Sequence, residues 1–150
     1  MKITLREYVK KRNGVPMGHP KSLRNMLYRS LGAKNFGVFW HYWNPIFGYY
    51  LGKLVFKPLR RYMPARLSLV FTFVFCGFIH DLVVLSIRGR MSYFFMIWFL
   101  FMAVGVLISR WLKHDLSRLP WLFRATYNLS YIGLTFYTAS YVDYAISVLW

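Results

Sequence analysis

The stretch that decides the fold is LSLVFTFVFCGFIHDLVVLSI, Leu67 to Ile87. It runs for 21 residues and contains His80 and Asp81, with no Lys, Arg or Glu. At about 1.5 Å per residue, a helix of this length matches the roughly 30 Å hydrocarbon core of a bilayer. Arg88-Gly89-Arg90 then makes a turn, and Met91 to Ser109 follows with no acidic, basic or histidine residue at all. Arg110 to Arg124 is a charged loop, and Thr126 to Trp150 is a third, softer run with five tyrosines and Asp143. The pattern predicts an all-α integral membrane protein with about three transmembrane helices, near 67–87, 91–109 and 126–150.

Upstream, the chain changes character. Residues 1–35 are polar and carry nine Lys/Arg, from Lys2 to Lys34. They form a basic cytosolic or interfacial segment, distinct from a membrane core over 36–150. Asn13 to Pro20 is rich in turn formers. Ser22 is expected to cap a short basic helix, Leu23 to Leu31, that stops near Gly32 and lies on the membrane surface. Phe36 to Leu59 is apolar and aromatic but broken by Pro45, Gly48, Gly52, Lys53 and Lys57. An interfacial or re-entrant helix pair fits it better than a span.

Composition narrows the function classes. The 57% hydrophobic content argues against disorder, and the formal charge of +16 argues against an ordinary soluble domain. Fourteen of the 20 Lys/Arg precede Leu67, two lie in the first turn and four in the next loop. This asymmetry predicts a cytosolic N-terminus and an outer C-terminus, and lipid contact explains much of the charge. Nucleic acid is not expected as a partner, because the basic residues cluster at span boundaries. The N-terminal MKITLREYVKKR has no apolar run after its charges, so insertion is expected to use internal segments. The single Cys76 allows no intramolecular disulfide. Metal-ligand spacing and phosphate-binding glycine loops are absent, so no metal and no bound cofactor are expected.

His80 stands thirteen residues past Leu67, about 20 Å into its span. An ionisable group at that depth is usually buried in a bundle or a cavity. Asp81 lies about 100° around the helix, so the two do not form a ready His–Asp pair; Asp81 is expected to pair with an Arg or to cap a local break. Asp143, seven residues from the last residue, is expected to be structural. Asn128-Leu129-Ser130 matches a glycosylation pattern only by chance, inside an apolar run.

Two blocks resemble the membrane-bound O-acyltransferase (MBOAT) family. Phe39-Trp40-His41-Tyr42-Trp43-Asn44 is similar to the aromatic FYxDWWN block of its sterol and diacylglycerol branch. Trp43-Asn44, Tyr50-Leu51 and Phe56-Lys57-Pro58-Leu59 follow the register of its bacterial branch. Phe75-Cys76-Gly77-Phe78-Ile79-His80 is similar to the family's apolar-Gly-x-x-His block. The resemblance covers roughly residues 30–90 and corresponds to the C-terminal half of such enzymes. It implies O-acyl transfer from a thioester such as acyl-CoA, a co-substrate, to a hydroxylated lipid, polysaccharide or protein. His80 would be the general base and Asn44 its assistant. Weaker donor-binding candidates are His41, Trp43, Lys53, Lys57, Arg60 and Arg61. It further implies a bacterial inner-membrane location, and a homo-oligomer or partner membrane protein to complete the enclosure. The competing expectation is a non-catalytic scaffold or assembly subunit built on the same helices.

Overall fold

In the computed structural model, residues 3–149 are described; Lys2 of the basic segment and Trp150 of the third expected span lie outside them. The described residues form helices joined by turns and loops, 76% helix with no strand. The elements are α1 (Leu5–Asn13), α2 (Ser22–Leu31), α3 (Phe36–Tyr42), α4 (Pro45–Leu51), a π-helical turn (Gly52–Phe56), α5 (Lys57–Leu59), α6 (Ala65–Arg88), α7 (Phe94–Trp111) and α8 (Trp121–Leu149).

α6 and α7 are the two helices long and apolar enough to cross a membrane. Residues 126–149 of the third expected run lie in α8. α8 is longer than both, at 29 residues, but its tyrosines, serines and threonines leave it less apolar. Only about a quarter of each apolar helix is buried inside the protein, 22% of an 18-residue apolar stretch of α6 and 28% of α7. A soluble core helix would be mostly covered; these present leucine, valine and phenylalanine side chains outward, with Phe71 52% and Val83 54% exposed.

α7 is the hub. α6, α8 and α3 all pack against it. The core joins Phe36 and Phe39 of α3, Leu69 of α6 and Met102, Ala103 and Val106 of α7. Small residues set the spacing. A Cβ on Gly77 would sit 2.4 Å from the Phe95 carbonyl oxygen, so α6 and α7 touch backbone to backbone there. One on Gly105 would meet the Tyr131 ring at 2.3 Å, which is how α8 closes on α7.

At the start of α7, Tyr93 supplies no side-chain cap, and the Ser92 hydroxyl accepts only from Phe94 N–H at 3.2 Å. Asp81, buried completely on α6, supplies a cap, accepting from the Phe95 and Met96 backbone N–H at 3.0 and 2.9 Å. Asp143 of α8 accepts from Tyr93 N–H at 3.1 Å and from the Ser92 hydroxyl at 3.3 Å. Both aspartates therefore hold one helix N-terminus, where unpaired N–H groups and the helix dipole favour negative charge.

The N-terminal third is more structured than hydropathy announced. α1 is opened by a capping box: Thr4 Oγ1 accepts from Glu7 N–H, and the Glu7 carboxylate accepts from Thr4 N–H. Ser22 does not cap α2. It is the first helical residue, and its hydroxyl accepts from buried Asn13 Nδ2 at 2.6 Å. Asn128, wholly buried on α8, donates to the Leu31 and Ala33 carbonyls at 2.9 and 3.1 Å. It satisfies orphan carbonyls at the end of α2 and is inaccessible to a glycosyl group. The α7–α8 loop is tied to the same junction by Leu116 N–H to the Lys34 carbonyl (2.8 Å) and by the Lys34–Asp115 ion pair (2.7 Å).

Candidate active site

The helix pair expected over 36–59 is present, and its break creates the site. α3 ends at Tyr42, and Asn44 takes a left-handed conformation (φ 39°, ψ 69°) that turns the chain into α4. Asn tolerates this region better than most residues. Its Oδ1 caps α4 by accepting from Phe47 N–H at 3.2 Å, and its backbone N–H contacts Met26 Sδ at 3.3 Å. With Oδ1 engaged, the end of the amide left to donate is Nδ2, which has no partner among the described residues.

Pro45 is the first residue of α4, where a missing N–H costs nothing. α4 then widens into the π turn, a distortion frequent beside functional sites. Gly52 and Phe56 of that turn, with Phe47 of α4, wall a cavity of about 250 Å³. Its opposite side is α6 and α7.

Asn44 and His80 both line this cavity, as do Trp43 and His41. Residues 36 positions apart in sequence are thus brought to one space. The His80 Nδ1 lies 2.7 Å from the Cys76 carbonyl oxygen, one helical turn back. A carbonyl only accepts, so Nδ1 carries a proton, and in the neutral imidazole Nε2 holds the lone pair. The ring is fixed on both sides by aromatics: Phe95 and Phe99 of α7 at 5.3 Å each, and Phe47 of α4 edge-on at 6.2 Å. Asp81, by contrast, is turned away onto α7, as its position around the helix predicts.

Trp43 stacks on Phe39 (5.5 Å between centroids) and carries the aromatic wall toward the surface. His41 borders this cavity and a second one on its other side. Partial removal of the ring from water, and then the Arg12 and Arg110 guanidiniums, hold its imidazole below the usual histidine range. The four basic residues expected at the donor phosphates do not line the cavity. Lys53, Lys57, Arg60 and Arg61 are exposed on the π turn, α5 and the residues after it, and Lys53 Nζ lies 5.8 Å from the Tyr49 ring.

Several cavity residues carry no motif. Tyr8 reaches in from α1, Arg110 from the end of α7, and Phe99 from mid-α7. Only Phe99 had a sequence signal, its place one turn after Phe95 on an apolar helix. No group of three or more His, Cys, Asp or Glu among the described residues is placed to hold a metal. Comparison with protein-family models, with characterised proteins and with solved structures finds no match to the chain.

Proposed function

We propose that the chain is a membrane-embedded O-acyltransferase, or the catalytic half of one, that moves an acyl group from a thioester such as acyl-CoA to a hydroxyl. The observation that carries this reading is the shared cavity. A histidine with a defined basic nitrogen and an asparagine with a free amide N–H face one largely apolar space. A purely structural subunit has no need of that convergence.

The chemistry follows from the two groups. His80 Nε2 takes the proton of the acceptor hydroxyl as its oxygen attacks the thioester carbonyl. Negative charge builds on the carbonyl oxygen, and Asn44 Nδ2 donates to it. A donor of this kind lowers the barrier by about 2.7–4 kcal/mol. The tetrahedral adduct then expels the thiolate, which recovers the proton from His80. Phe47, Phe95 and Phe99 keep bulk water from the imidazole and hold its plane.

The exposed apolar surfaces of α6 and α7 support a bilayer as the surroundings, and α8 completes the bundle against α7. The basic α1–α5 region then faces the cytosol. We further propose that a second copy or a partner membrane protein completes the enclosure around the acyl chain.

The test is release of free coenzyme A thiol from acetyl- and palmitoyl-CoA by purified protein, beside His80→Gln and Asn44→Ala. Loss of base catalysis predicts a drop on the order of 10²–10⁴-fold for His80→Gln, with the folded fraction unchanged. Release that is indifferent to His80 refutes the assignment.

A further inference from the structure

The larger cavity is not the one that holds His80. A space of about 540 Å³ opens where α1 and α2 meet the start of α8. Arg12, Arg29, Lys34 and Arg124 line it, with His41 as the wall it shares with the first cavity. The stacked rings of Tyr28 and Trp121 form another side, 5.3 Å apart and 8° from parallel.

Three of those four cations have no carboxylate. The single ion pair among the described residues is Lys34–Asp115. The sequence holds just four Asp and Glu side chains, and the fold engages each elsewhere. Glu7 closes the α1 box, Asp81 and Asp143 cap α7, and Asp115 holds Lys34 and Ser117 N–H. None is left for Arg12, Arg29 or Arg124.

Two of the three guanidiniums are nonetheless held in place. Arg12 lies over the Tyr8 ring at 5.1 Å. Arg29 donates Nη1 to the Arg12 carbonyl at 3.0 Å and sits 6.0 Å from the Tyr42 ring. Gly14, at φ 78°, gives it room, since a Cβ there would fall 2.5 Å from Nη2. The Nε atoms of both Arg12 and Arg124 are buried without a hydrogen-bond partner. Buried donors on charged groups are costly to leave unpaired, and like charges fixed around one space repel. An anion with several acceptor oxygens resolves both problems.

We infer that this cavity binds a phosphate-bearing anion, gripped by Arg12, Arg29 and Arg124. Guanidinium forks match phosphate oxygens in geometry as well as charge. The ligand is a soluble phosphorylated metabolite or a phospholipid headgroup; both present the same chemistry. The inference stands apart from acyl transfer, because it rests on charge and unpaired donors and is read by binding alone.

The experiment uses the full chain in phosphatidylcholine nanodiscs. One arm titrates inorganic pyrophosphate by calorimetry; the other compares thermal stability with and without phosphatidate in the disc. Saturable pyrophosphate binding identifies a soluble ligand. Stabilisation by phosphatidate alone identifies a headgroup. Arg12→Gln and Arg124→Gln are each expected to weaken binding about tenfold or more, while Arg88→Gln, at the far end of α6, leaves it unchanged. Phenylglyoxal labelling read by mass spectrometry maps the site on the wild-type chain without any variant. Arg12, Arg29 and Arg124 should be protected by the bound anion and Arg60 and Arg61 should not. No binding in either arm, or binding with no protection of these arginines, overturns the inference.

Discussion

Removing the Asp81 carboxylate should loosen the α6–α7 contact more than any other single polar change in the bundle. Asp81→Ala strands two half-buried backbone donors, the N–H groups of Phe95 and Met96. Each costs about 1–3 kcal/mol when left unpaired, or about 2–6 kcal/mol for the pair. The loss of a negative charge at the α7 N-terminus adds about 0.3–1 kcal/mol. Relief from burying a carboxylate offsets part of this. The net expected loss is about 3 kcal/mol. Asp81→Asn keeps the shape and one accepting oxygen but aims an NH2 at the second donor, so roughly half that loss is expected. The assay is reversible unfolding in mixed micelles by added dodecyl sulfate, followed by far-UV circular dichroism. Amide hydrogen exchange gives the location: Phe95 and Met96 should exchange faster in Asp81→Ala, while amides near Asn128 do not change. Unfolding curves for both variants that superimpose on the wild type would refute the capping role. So would losses spread evenly along all three long helices.

Other expectations follow from the same contacts. Gly77→Ala pushes a methyl into the Phe95 carbonyl, so α6 and α7 must part; a loss of about 1–3 kcal/mol in the same assay is expected. It should be non-additive with Asp81→Ala, because both act on one contact. Asn128→Leu leaves the Leu31 and Ala33 carbonyls unpaired and should cost about 2 kcal/mol, with faster proteolysis of the α2–α3 junction. His41 titrates below the ordinary value of about 6.5, so the folded state binds fewer protons there than the unfolded chain. Its contribution to stability is therefore full above that ordinary value and is lost as pH falls through the folded-state one. Melting temperature measured from pH 7.5 to 5 should decline, and His41→Gln should flatten that decline.

The sequence made some of this legible and hid the rest, for physical reasons. Leu67–Ile87 and Met91–Ser109 announce α6 and α7 because length and apolar content alone define such helices. Asn44 and His80 could be paired only through the resemblance, and they do share a cavity. What decides the placement of His80 is a neighbour one turn away, the Cys76 carbonyl, and helical periodicity contains that. α1 was readable in principle from Thr4-x-x-Glu7, a capping box that hydropathy overlooks. α8 was blurred by its tyrosines, which hydropathy scores as soft although Tyr131 packs deep enough to donate to the Phe101 carbonyl at 3.0 Å. The arginine cavity was invisible, since Arg12, Arg29 and Arg124 come from three helices and no spacing rule links them. A count of acidic residues came closest: four carboxylates cannot neutralise 20 cations.

The two aspartates at the head of α7 also set an order of assembly. Asp81 precedes its partners by 14 and 15 residues, whereas Asp143 follows its own by about 50. During synthesis, α6 and α7 can therefore leave the ribosome as a hairpin whose Phe95 and Met96 amides are already answered from within. The Tyr93 amide alone waits for Asp143. The last helix arrives as a latch, adding Asp143 at one end and Asn128 at the other. Truncation within α8 should accordingly yield a chain that still forms its α6–α7 hairpin yet leaves the α2 terminus undocked.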